Sequence, residues 1–226
     1  MNSLEIPIHS VAQELVDPYY SARLELRRRA PSLPVIMLGR LTNRLAFSQP
    51  LNRRHQSCMW PRGIHADLGI EHDDENGIVT YAFPEALNQF EEAITLIAGH
   101  EHSAYPDATY ESVTIESRQS VVEADTSQIQ NEEFHRDALR GEWRHIYVVG
   151  DKQPTEFITF DDQTNEQFYD NGESDDVITA DPYQVVYANS TTFHRSPKFI
   201  ETSWRTFLRV TYIHNVNAGV AKTAIY

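Results

Sequence analysis

The sequence predicts a mainly β protein with flanking helices, and three observations predict it. Beyond Ala104, short segments rich in Val, Ile, Thr, Phe and Tyr alternate with turn residues, the pattern of an all-β sandwich or barrel. Ahead of them, Pro84 to Gly99 carries Leu87, Phe90, Ile94 and Ile97 at helical spacing, with proline near the start and glycine at the end. The chain has 226 residues, 40% apolar and 23% charged, enough for one domain with a sizeable core.

Taken in order, the first third reads as helix and loop. Val11 to Arg29 predicts a helix interrupted by Pro18, and Ala30 to Pro34 ends it, because proline removes a donor and clashes with the preceding turn. Asn43 to Asp74 is polar, rich in Arg, His and Asp, and shows no clear periodicity. Strands are then expected at Tyr110–Ile115, His145–Val149, Glu156–Phe160, Gln184–Tyr187 and Thr206–Ile213. Asp151–Pro154, Asn171–Asp176 and Ala180–Pro182 punctuate them. The helices should cover the sheet, since an open sheet must bury one face. The expected organisation is a single domain over 1–226, with an N-terminal helical and loop region at 1–104, a β core at 105–215 and a tail at 216–226.

Composition excludes several function classes. No run of 18 or more apolar residues exists, which predicts no membrane-spanning helix. Met1 to Pro7 lacks a basic region followed by an apolar stretch, which predicts no secretory leader. Cys58 is the one cysteine, so no internal disulfide and no Cys-rich zinc site is possible, and the cytoplasm is the expected compartment. The formal net charge is −14, from 19 basic and 33 acidic side chains, and this argues against nucleic acid as a partner. Arg23, Arg27, Arg28 and Arg29 cluster, with Arg53 and Arg54 further on, and read as a solvated helix end.

The ten histidines and many acids leave nitrogen and oxygen metal chemistry. The central feature is Phe134-His135-Arg136-Asp137. On an extended chain His135 and Asp137 point the same way, and an imidazole and a carboxylate so placed can reach one ion. A third ligand must come from another strand, and His194, after the apolar run from Tyr183, is the best candidate. Two histidines and one carboxylate on one face of an octahedron leave three positions open, the facial triad of Fe(II) oxygenases. Arg205, eleven residues past His194 at the start of Trp204–Ile213, suits a carboxylate such as the distal one of 2-oxoglutarate. Arg205, Phe207, Arg209 and Thr211 share a strand face, so Arg209 with Thr211 is the competing anchor.

The order His-x-Asp, a strand-rich stretch, His194-Arg-Ser-Pro and then an arginine opening the last strand resembles the Fe(II)/2-oxoglutarate-dependent dioxygenase superfamily, in particular its small bacterial, phytanoyl-hydroxylase-like members. The resemblance covers residues 105–215 and rests on the order and spacing of short motifs. It implies a double-stranded β-helix (jelly roll, cupin-like) core at 105–215, iron ligation by His135, Asp137 and His194, and 2-oxoglutarate anchored by Arg205. The Arg-x-Ser pattern of some members maps instead onto Arg209-Val-Thr211, fifteen residues past His194, which leaves the two arginines in competition. The implied activity is hydroxylation of a C–H bond in a small polar metabolite, such as an amino acid or derivative. O₂ is consumed and 2-oxoglutarate is decarboxylated to succinate.

Other readings compete. His65-Ala66-Asp67 repeats the His-x-Asp pattern and His72-Asp73-Asp74 lies nearby, but neither has a comparable sequel; the segment Asn52–Asp74 could form a loop over the site. His135-Arg136-Asp137 matches the His-Arg-Asp of protein-kinase catalytic loops, but Glu142 stands where that motif needs Asn, and no Asp-Phe-Gly follows. His100 and His102 are expected just past a helix C-terminus, where a cationic imidazole is favoured without catalysis. Beside the small-molecule hydroxylase stand a protein or nucleic-acid hydroxylase on the same scaffold and a non-catalytic cupin-like binding protein.

Overall fold

Side chains that alternate apolar and polar along a strand can bury one face and leave the other for function. The computed structural model describes residues 2–7, 35–48, 62–73, 75–106, 108–122, 134–135, 144–152, 155–158, 168–169, 177–189, 192–197 and 201–214. In chain order its elements begin with β1 (Asn2–Pro7), β2 (Ile36–Arg40), the single turn α1 (Leu45–Ser48), β3 (Arg62–Asp67), β4 (Gly69–Asp73) and β5 (Ile78–Phe83). A 3₁₀ segment, Glu85–Phe90, leads into α2 (Glu91–Ala104). There follow β6 (Tyr110–Val122), β7 (Phe134–His135), β8 (Arg144–Gly150), β9 (Glu156–Ile158), β10 (Phe168–Tyr169), β11 (Val177–Thr179), β12 (Gln184–Asn189), β13 (Phe193–Arg195) and β14 (Ser203–His214).

Among the described residues these strands form three sheets. Six pair in the order β2-β12-β8-β14-β6-β3, five in the order β10-β7-β13-β9-β11, and three in the order β1-β5-β4. Every pairing is antiparallel. The long ladder of β14 on β6, from Ser203↔Val122 to His214↔Tyr110, and that of β14 on β8 form the centre of the six-stranded sheet.

That sheet buries both faces differently. On one side Val113, Ile115, Tyr147, Val149, Tyr187, Leu208, Val210 and Tyr212 meet α2, through Ile94, Ile97 and Ala98, and the β1-β5-β4 sheet, through Val79 and Tyr81. On the other side Ile146, Val148, Val186 and Ala188 pack against Phe157, Ala180 and Ile178 of the five-stranded region, with Phe207 against the same cluster. A third cluster, Ile158 and Phe193 with Val177, covers the far face of the five-stranded sheet. Among the described residues the result is a mainly β, sandwich-like fold with few helices.

The five strands expected beyond Ala104 are present, several with longer bounds. Two expectations are corrected. The N-terminal region up to Ala104 is not helix and loop alone, because β1 to β5 lie within it and the Asn43–Asp74 stretch contains β3 and β4. Its polar residues sit in strands with one solvated face: β4 reads exposed, half-buried, then exposed throughout, while its neighbour β5 alternates with Val79, Tyr81 and Phe83 buried. The expected helix runs past Gly99 to Ala104, since Gly99 is buried inside it and the apolar face continues. The Val11–Arg29 helix and the arginines at 23, 27–29, 53 and 54 lie outside the described residues.

Two local devices hold the fold near the sites. Glu92 on α2 accepts hydrogen bonds from the Thr42 amide and hydroxyl and from the Asn43 amide at 2.6–2.7 Å, tying the turn before α1 to the helix. Tyr183 takes a left-handed φ of 65° ahead of β12. Its amide donates to Gly150 O at 2.7 Å and its carbonyl accepts from Leu41 N at 2.8 Å, two bonds that offset the strain of a non-glycine residue there.

Candidate functional site

The described residues singled out in the sequence fall on two facing sheets. On β14, Arg205, Phe207, Arg209 and Thr211 share one face, as alternation predicts, and Thr206, Leu208, Val210 and Tyr212 share the other, which is buried. The register extends this face into rows. His65, Glu116, Arg209, Val148 and Val186 stand side by side across β3, β6, β14, β8 and β12, and Asp67, Thr114, Thr211, Ile146 and Ala188 form the next row. Each row is polar over β3, β6 and β14 and apolar over β8 and β12. The apolar half is the half that packs on the five-stranded region.

His194 comes from that opposing sheet. It is directly opposed to Phe157 on β9 and to His135 on β7. Directly opposed residues of an antiparallel pair share a face, so His194 lies on the face of Phe157, and its ring centroid is 6.5 Å from that of Phe157. Phe157 belongs to the apolar cluster that Phe207 packs against. The half-buried His194 and the arginine-bearing face of β14 are thus linked through two phenylalanines. His194 Nδ1 is 3.1 Å from Thr192 O. Donation of Nδ1–H to that carbonyl fixes the tautomer and leaves the lone pair on Nε2. The turn that delivers β13 is itself tied, with Thr192 N donating to Asn189 O at 3.1 Å and Thr192 Oγ1 to Asn189 Oδ1 at 2.9 Å.

The two arginines sit in different surroundings. Arg205 Cζ lies 5.0 Å from the centroid of Phe207, whose ring is approached by Arg118 Cζ at 5.7 Å. Burial lowers Arg205 to about 10, with nearby Asp151 acting against the shift and Arg118 adding to it, so it stays charged at neutral pH. Arg118 forms a two-pronged pair with Glu116, both bonds 2.7 Å. Arg209 Nε donates to Thr211 Oγ1 at 3.2 Å.

Asp137 lies outside the described residues, and His135 is described by its strand position. His65 and Asp67 are strand residues of β3 at the sheet edge, so their portion of Asn52–Asp74 is not a loop over the site.

The protein has no match among protein-family models or curated proteins. Solved structures do resemble it at low identity. EvdMO1 is 10% identical with a TM-score of 0.40, over 84% of this chain and 50% of the other, so the chain spans half the length of that protein. AviO1 from Streptomyces viridochromogenes Tue57 is 12% identical, TM-score 0.36, over 88% of this chain and 86% of the other. The non-heme alpha ketoglutarate dependent carbocyclase SnoK from nogalamycin biosynthesis is 10% identical, TM-score 0.43, over 92% and 85%.

A second constellation was missed in the sequence. On the helix side of the six-stranded sheet, Glu101 of α2, His145 of β8 and His214 of β14 converge. Glu101 and His145 are fully buried and the His214 side chain is 12% exposed. His145 Nδ1 is 2.7 Å from Glu101 Oε1, His214 Nε2 is 3.0 Å from His145 Nδ1 and 3.5 Å from Glu101 Oε1. Tyr110 OH donates to Oε1 at 3.0 Å and Tyr147 OH to Oε2 at 2.6 Å. Burial alone would raise the Glu101 carboxyl, but His145 and His214 hold it well below the usual carboxylate range.

The two histidines flanking Glu101 are also corrected. His100 and His102 are buried within α2, not past its end. Burial holds His102 down at about 4, against the pull of Glu101 and together with His72, so its imidazole is neutral at pH 7 and not cationic. Its Nε2 lies 2.7 Å from Tyr81 OH.

Proposed function

We propose that the protein is a non-haem Fe(II), 2-oxoglutarate-dependent oxygenase that hydroxylates a C–H bond of a small polar metabolite in the cytoplasm. Its proposed core is a single-domain double-stranded β-helix. Its proposed iron ligands are His135, Asp137 and His194, and Arg205, or Arg209 with Thr211, binds 2-oxoglutarate. The observation that carries the reading is the register of His194 with both His135 and Phe157, combined with the packing of Phe157 and Phe207 in one cluster. It supports two imidazole positions on one sheet and guanidinium groups on the sheet it faces.

His194 and Arg205 suit the groups the reading requires. The Thr192 carbonyl selects the His194 tautomer whose Nε2 can bind a divalent metal. A half-buried guanidinium that remains charged, such as Arg205, pairs well with a carboxylate in a partly desolvated setting. Iron and 2-oxoglutarate, when bound, would supply the activation of O₂ and the two electrons released with CO₂ as succinate forms. The chain's own role is positional. His194 is oriented by Thr192, the arginines neutralise and align a carboxylate, and Ile146, Val148, Val186 and Phe207, packed with Phe157, keep water from the apolar half of the sheet face. No helix among the described residues is long and apolar enough to cross a membrane.

The test is anaerobic reconstitution with Fe(II) and 2-oxoglutarate, then exposure to O₂ with a panel of small amino acids and hydroxy acids. Succinate should form, and should be abolished in His135→Ala and His194→Ala. Succinate formation undiminished in either variant overturns the reading.

A further inference from the structure

We propose that Glu101, His145 and His214 form a second metal site, for one divalent transition cation, on the helix side of the six-stranded sheet. It is independent of the residues proposed to hold iron.

The geometry matches a cation. A carboxylate oxygen and two imidazole nitrogens from three separate elements stand 2.7, 3.0 and 3.5 Å apart in pairs. For bonds of about 2.0–2.2 Å to zinc, neighbouring ligands in a tetrahedral or octahedral shell are about 2.9–3.5 Å apart. The three atoms therefore need to move by a few tenths of an ångström at most to share one ion. Two imidazole nitrogens directed at each other and at the same carboxylate oxygen can share one proton between them, whereas a cation engages all three lone pairs at once.

The surroundings are those of held ligands. Tyr147 OH fixes the second oxygen of Glu101 and Tyr110 OH the first. The ring of Tyr105 lies against His145 with centroids 4.2 Å apart, and Tyr105 OH is itself within 2.9 Å of Tyr187 OH. Such outer partners set the direction of ligand lone pairs. Tyr110, whose ring is 5.1 Å from that of His214, is placed to supply a fourth oxygen or to hold a water. His214, at the end of β14, is the one ligand with exposed side-chain surface, and this edge is the way in for the ion. The donor set of two imidazoles and one carboxylate suits zinc.

The experiment uses the full chain, stripped with a chelator, checked for folding by circular dichroism and titrated with zinc chloride by calorimetry. Metal content is read after desalting. His194→Ala, which removes a proposed iron ligand, should bind one equivalent, and wild type at least that one. In the His194→Ala background, adding His214→Ala, a change at a half-buried strand end, should lower affinity by more than about tenfold. Cobalt(II) bound to His194→Ala should give visible absorption bands that disappear when His214→Ala is added. Zinc affinity of His194→Ala unchanged on adding His214→Ala, or no zinc equivalent retained by His194→Ala, overturns the proposal. The succinate assay reads the other site, so either proposal can fail alone.

Discussion

Arg205 and Arg209 project from the same face of β14, yet one stacks on Phe207 at 5.0 Å while the other gives its Nε to Thr211 at 3.2 Å. Burial desolvates the stacked guanidinium, and a charged partner stabilises it there. If it anchors 2-oxoglutarate, Arg205→Met should raise KM for 2-oxoglutarate by about 10- to 100-fold, the loss of a charge-assisted bond worth roughly 1.5–3 kcal/mol. Arg209→Met should then change it several-fold less. The reverse ranking in steady-state succinate assays would assign the anchor to Arg209 and Thr211.

His102 makes stability depend on pH. Its folded value is about 4 against 6.5 for an exposed imidazole, because burial disfavours the charged form. Between those two values the unfolded chain takes up a proton that the folded chain refuses. Stability contributed by the neutral ring is complete above pH 6.5, falls by roughly 3 kcal/mol as pH drops to 4, and is level below that. Urea unfolding of wild type and His102→Gln at half-unit steps should show a slope in wild type over this window that the variant lacks.

Thr206 joins three elements through one hydroxyl. Its Oγ1 donates to Phe47 O at 2.7 Å and accepts from Gln119 Nε2 at 3.1 Å. Thr206→Val keeps the shape and strands both partners in a buried place, at a cost of about 1–3 kcal/mol. Thr206→Ser should recover most of it. Chemical denaturation of the pair measures the difference.

Gly39 on β2 lies under α2. A Cβ built there would stand 3.1 Å from Leu96 Cδ2, the far end of a flexible side chain. Gly39→Ala should be tolerated, because that end can turn aside. Gly39→Val should lower stability by about 1–3 kcal/mol, as overpacking does, seen as a drop in the thermal midpoint.

The β-rich half was legible because its strands alternate cleanly. Leu208, Val210 and Tyr212 mark the covered side of β14, and Arg205, Phe207 and Arg209 the other. The first third was not legible. Its strands carry His, Asp, Glu and Arg on solvated faces, as in Glu71, His72 and Asp73, which resembles loop composition. The cluster around Glu101 was missed for a related reason. Ending the helix at Gly99 removed Glu101 from the face of Ile94, Ile97 and Ala98, although the spacing from Ile94 places it there. The same parity that buries Tyr212 also sends His214 to that side, and Tyr147 does so for His145. The signal lies in the strand period of β8 and β14.

Because alternate residues of β14 serve opposite neighbours, its reading frame is a constraint in its own right. Deleting one residue inside β14 would reverse the facing of every residue on one side of the cut, turning Arg209 toward the aliphatic packing and Leu208 and Val210 onto the polar face where that side includes them. A substitution along this strand acts at one position, whereas a length change shifts every residue on one side of it. Natural variants of this chain should therefore accept insertions and deletions only beyond the ends of β14.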